Sequence, residues 1–262
     1  MKAKRPTPWE KEWAGMEMRQ ARFLTRYAQY TPSALDRMLE GKVPPKLQST
    51  LESAFSKAFS LVFRKGTPLL ERTFSSEETA RRYQEDQFSA DLRGDRRSLR
   101  AFSRRSALSG AADLTLSGVE GVVLGTLGVG IPDIPVFTAL LLRSLYTMAG
   151  QFGFPHNTPE ERYFHLLVIR AALSWGDELT HWNRIIDLWC QSPALPEGLD
   201  WEKEISLTAR ALSSQLLYTK FLQGIPIVGI AGGTSDVVCL ARVRRYAGLK
   251  YRRRMLLRQK AR

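Results

Sequence analysis

A run of apolar residues spaced with glycines restricts this chain more than any other feature. From Ser117 to Pro135 it reads SGVEGVVLGTLGVGIPDIP, with Gly118, Gly121, Gly125 and Gly128 at intervals of three, four and three. At about 100° per residue these glycines share one helical face roughly 80° wide. Each costs about 1 kcal/mol relative to alanine, so the helix needs another backbone packed closely on its bare face. Ser117 and Glu120 form a capping-box pattern at its start. Gly130 and then Pro132 provide the stop. The pattern returns in GIPIVGIAGGTSDVVCLARV, where Gly229 and Gly232 share a face that Gly233 widens. These seven glycines form a predicted close-packing stripe on two central apolar helices.

Two acidic residues accompany the glycines. Asp133 fits the N-cap of the helix that follows the first segment, and Asp236 lies seven residues after Gly229. Both are candidate buried acidic positions. An unpaired buried carboxylate costs several kcal/mol, so Asp236 either pairs with an arginine, caps a neighbouring helix or contacts a ligand. A phosphate-binding loop is disfavoured. A P-loop ends in Gly-Lys-Ser/Thr, and no lysine lies between Gly66 and Lys203. A dinucleotide fingerprint needs a strand before its glycines, and here the flanks read as helix.

Helical periodicity dominates elsewhere, and strand-like alternation is absent. Residues 8–40 read as one helix or two, and further helices are predicted over about 45–64, 134–152, 159–175, 177–191, 201–223 and 226–257. Pro45 starts the 45–64 helix, and Leu47, Leu51, Phe55, Phe59 and Val62 form its apolar face. Gly153 ends the 134–152 helix, and Thr158, Pro159 and Glu161 cap the next. Trp175, Trp182 and Trp189 recur every seven residues. This spacing suits one core-facing helix side, the alternative being an interface with membrane or a partner. The expected fold is all-α: residues 1–42 form an N-terminal helical arm, and residues 43–262 form a single helical domain with the two glycine-rich helices at its centre.

Charge bears on partners. The net charge is +13 over 262 residues, and ten basic residues but no acidic one lie between Arg242 and Arg262. Arg242, Arg244, Arg245, Lys250, Arg252, Arg253 and Arg254 in this tail are candidates for binding an anionic surface. Polybasic segments gain about 1 kcal/mol per cation near an anionic leaflet, and Tyr246, Leu249, Tyr251, Met255 and Leu256 lie among them. A lipid surface, a plain solvated helix end and nucleic acid are the three alternatives. Nucleic acid is disfavoured, because no helix-turn-helix, zinc-finger or RNP pattern is present. Gly121–Leu142 and Phe221–Ala241 approach the length of a membrane span. Pro132, Asp133 and Pro135 interrupt the first and Asp236 the second, so a buried helical hairpin is expected instead.

Catalytic signatures are sparse. Glu161 and His165 are four apart, as are Asp177 and His181, and either pair offers two metal ligands. Two ligands do not make a site, so no metal and no cofactor is expected. No G-x-S-x-G elbow occurs. Cys190 and Cys239 are read as reduced, buried thiols of a cytosolic protein, and the basic N-terminus lacks the apolar stretch of a secretory signal.

Three blocks resemble the EcsC family. GVVLGTLGVGIPDIPVFTALLLRSLYTMAGQFGF followed by TPEERYFHLLVI resembles its central signature, and GIPIVGIAGGTSDVVCLARVRRYAGLKYRRRML its C-terminal segment. VPPKLQSTLESAFSKAFSLVF is similar to its N-terminal amphipathic helix. One departure is Asp236, near a position where the family commonly has asparagine. The resemblance implies a bacterial protein of unestablished activity and supplies no catalytic residues. The expected function is a non-enzymatic accessory protein, cytoplasmic and peripheral at the inner face of the membrane. An anionic membrane surface is one expected partner and, by resemblance, an ABC transporter another. The alternatives are a hydrolase-like enzyme with a pocket near Asp133 and Asp236, and nucleic-acid binding through the tail.

Overall fold

The computed structural model describes residues 5–29, 45–63, 134–222 and 233–261. Regular structure among them is entirely helical, in seven elements: α1 (Pro8–Ala28), α2 (Pro45–Leu61), α3 (Ile134–Gln151), α4 (Pro159–Leu173), α5 (Gly176–Gln191), α6 (Trp201–Leu222) and α7 (Gly233–Lys260). The all-α expectation holds. Gly118, Gly121, Gly125, Gly128, Asp133, Gly229 and Gly232 lie outside the described residues. Gly233 is the first residue of α7, and Asp236 stands in that helix's first turn.

Local chemistry sets the helix ends. Thr7 accepts a hydrogen bond from the Glu10 amide, while the Glu10 carboxylate accepts one from the Thr7 amide. This reciprocal capping box, with Pro8 behind it, starts α1. Thr158 accepts from the Glu161 amide and starts α4. After α3, the Phe154 amide donates to the Ala149 carbonyl and the Gly153 amide to Gly150. Gly153 has φ of +69°, the left-handed conformation this helix ending requires. The capping and stop residues read from the sequence at α4 and α3 therefore act as expected.

Packing centres on α7. It touches α1, α3, α4, α5 and α6, while α2 packs on α3 and α6. At 1.5 Å per residue, α7 is about 42 Å long. The expected N-terminal arm is instead part of this core. Met16 and Phe23 of α1 are buried, and α1 lies antiparallel to α7 and beside α5. Phe55 and Phe59 of α2, Leu141, Leu142 and Leu145 of α3, and Leu166 to Ile169 of α4 are likewise buried. No helix among the described residues is long and apolar enough to cross a membrane.

Candidate functional site

The basic helix α7 lies in the middle of the molecule, and its cations turn inward. Arg242, Arg244, Lys250, Arg252 and Arg254 are buried, Arg253 is half-buried, and Arg245 is exposed. This corrects the expectation of a basic tail spread over an anionic surface. The physical reason is α7's position: with five helices around it, most of its side chains have no route to water. Each buried cation then needs a counter-charge or a polar cage.

Glu161 of α4 organises the first cage. Arg254 donates two hydrogen bonds to its carboxylate, at 2.8 and 2.9 Å. Such a paired fork is the strongest geometry available to arginine and carboxylate. The Tyr251 hydroxyl donates to the same carboxylate, so the phenol oxygen accepts from His165 Nε2 at 2.9 Å. The network thus assigns the Nε2–H tautomer to His165. Its Nδ1 has no hydrogen-bond partner among the described residues. The Tyr146 ring lies beside the imidazole, tilted by 38°, with ring centroids 5.2 Å apart. Burial, then the positive charge of Arg254, holds the His165 pKa well below its usual value. Burial and next Glu161 push the Tyr251 phenol well up. Burial also lowers Arg254, but Glu161, with Tyr251 and Cys190, offsets it and the net shift is upward.

A second cage holds Lys250. Its ammonium donates to Gln20 at 2.8 Å, Asn183 at 2.6 Å and Asp187 at 2.7 Å, which satisfies its three donors. Tyr246 donates to Asn183 as well. These contacts join α1, α5 and α7. Burial lowers the Lys250 pKa, partly countered by Asp187. Arg252 pairs with the buried Glu12, and Arg253 with Asp187 at 3.3 Å. Arg242 donates to the Gln215 side chain and the Ser174 carbonyl. Its guanidinium lies 3.9 Å from the Tyr27 ring centroid and 4.0 Å from that of Trp175. Burial brings its pKa down to about 10.

The tryptophan heptad has the same purpose. Trp175 faces Arg242, Trp182 lies under Arg170 at 4.4 Å, and Trp189 under Arg254 at 4.9 Å. Trp175 stands at the extended N-cap position, one residue before α5, rather than on the helix. The spacing of seven therefore marks a row of cation–π partners as well as a core-facing side. Glu12, Gln20, Asn183 and Asp187 escaped sequence reasoning. Their one sequence signal was polarity at positions that should have been apolar in amphipathic helices.

Among the described residues no cluster of three metal-ligating side chains occurs. Glu161 and His165 approach to 3.9 Å, but Glu161 is occupied by Arg254 and Tyr251. Asp177 and His181 are both exposed. Cys190 and Cys239 are buried free thiols, as expected, and burial pushes the Cys190 thiol up to about 12. A thiol held protonated in this way is a poor nucleophile.

The EcsC protein family model matches residues 10–256. Protein EcsC of Bacillus subtilis (strain 168) is 27% identical over 131 residues, which cover 49% of this chain and 52% of that protein. The chain thus spans about half the length of this curated relative. No solved structure matches.

Proposed function

The chain belongs to the EcsC protein family, and from that premise we propose that it is a non-enzymatic accessory protein held peripherally at the cytoplasmic face of a bacterial membrane. The observation that carries this reading is the sorting of its charge. The core cations Lys250, Arg252 and Arg254 are matched by Asp187, Glu12 and Glu161. Lys11, Arg19, Arg22, Arg26 and Arg245 are exposed instead, on a chain whose net charge is +13. Uncompensated surface cations draw a protein to an anionic leaflet at about 1 kcal/mol each. The groups with reactive chemistry support binding over catalysis, because Glu161, His165, Tyr251 and Lys250 hold one helix to another.

Cell fractionation tests the proposal. The protein is expected in the membrane pellet at low ionic strength and in the supernatant after a high-salt wash. Recovery in the supernatant at low salt, or release by detergent alone, would overturn peripheral electrostatic attachment. Repeating the binding with vesicles free of integral protein decides whether a membrane-protein partner, such as the transporter the family resemblance suggests, is required.

A further inference from the structure

One exposed side of α1 carries positive charge only. Lys11, Arg19, Arg22 and Arg26 fall within an arc of about 80° at 100° per residue. All four are exposed. Among the described residues none of them meets a carboxylate: Arg19 donates to the Gly15 carbonyl, Arg22 to Met18 Sδ, and Arg26 lies 5.8 Å from the Tyr27 ring. Of the acidic residues of α1, one adjoins the arc but is buried, and two lie away from it. Glu12 is buried against Arg252, Glu10 closes the capping box, and Glu17 lies about 160° from the centre of the cationic arc. Met18, 57% exposed, borders the cations. The outer faces of α5 and α6 mix signs, with Asp177, Glu178 and Arg184 on α5 and Glu202, Lys203 and Arg210 on α6.

We infer that this face of α1 is the membrane-contact surface, and that its occupant is a layer of anionic phospholipid headgroups. The inference rests on the peripheral-membrane reading above and gives it a location. Charge complementarity selects an anionic partner, and shape selects a flat one. Lys11 and Arg26 are about 22 Å apart along one helix. A plane meets such a line along its whole length, whereas a nucleic-acid duplex crossing it meets only a part. The exposed thioether of Met18 enters the headgroup boundary beside the cations, as apolar residues of interfacial helices do. The adjoining side of α1 is fastened to α7 through Glu12, Gln20 and Phe23, so docking requires no rearrangement of the core.

Flotation of the purified full chain with vesicles tests this assignment. The unaltered protein is expected to float with phosphatidylglycerol-containing vesicles and not with pure phosphatidylcholine. Each lost cation lowers partitioning about five-fold, so Arg19→Gln with Arg22→Gln lowers it about 25-fold. Lys203→Gln with Arg210→Gln on α6 removes the same charge and is expected to change binding less than two-fold. Arg19→Lys with Arg22→Lys keeps the charge and is expected to bind like the unaltered chain, which separates loss of charge from damage to the helix. Equal losses in the α1 and α6 glutamine variants would overturn the assignment to α1 and leave peripheral attachment standing. Absence of flotation by the unaltered chain, or binding to duplex DNA in preference to vesicles, would overturn both.

Discussion

Glu161 shows how much a single core side chain can hold. It accepts from Arg254 and Tyr251, and through Tyr251 it orients His165. Glu161→Gln leaves the Arg254 guanidinium buried without a counter-charge. It is expected to lower unfolding stability by about 3–5 kcal/mol, read from urea denaturation. Glu161→Met combined with Arg254→Met is expected to recover most of that loss, because no buried charge remains. Full additivity of the two single variants would refute the coupling. His165 acts with the opposite sign. Its folded-state pKa is depressed, so below the unfolded value of about 6.5 the unfolded chain binds a proton that the folded chain refuses. This contribution is absent at higher pH and erodes stability as pH falls through 6.5, by up to about 1.4 kcal/mol per pH unit. His165→Phe is expected to flatten the stability profile between pH 7 and pH 5. An unchanged slope would exclude His165 as its source. In the sequence, Glu161 and His165 were legible as a helical pair, while Tyr251 and Arg254, some ninety residues away, were not.

At the level of elements, α4 and α7 behave differently as text. The Thr158-Pro159 start and Glu161 amide contact of α4 are local chemistry, and the sequence shows them directly. Glu161's side chain departs from a closed capping box because α7 draws it inward. The sequence of α7 has the composition of a solvated polybasic end, yet Tyr246, Ala247, Lys250, Tyr251 and Leu256 are fully buried. Deleting Arg242 to Arg262 therefore removes the centre of the packing rather than an appendage. That truncated chain is expected to be insoluble or to lose its cooperative thermal transition, monitored by circular dichroism. A truncated protein with the stability of the full chain would contradict the central position of α7. The same contrast applies to α1, which reads as an arm before the proline break and is held in place by Glu12, Gln20 and Phe23.

For the whole molecule, the decisive property is which cations reach water. Net charge counts α7 and α1 alike, but among the described residues α1 presents four exposed cations within one arc while most cations of α7 are buried. Retention on an anionic surface should consequently fall with rising salt as exposed charges are screened within about 8–10 Å, while the caged pairs of the core persist. The sequence by itself determined the all-α class, the positions of most helix ends and the family, because periodicity, caps and stops act within a few residues. It also determined that two thiols would be buried and that strands would not compete. Only the tertiary structure decided the fate of the basic C-terminal helix. Whether an arginine meets solvent or Glu161, Asp187 or Trp175 depends on contacts between residues far apart in the chain. A charge carries no mark of the partner that folding will bring to it.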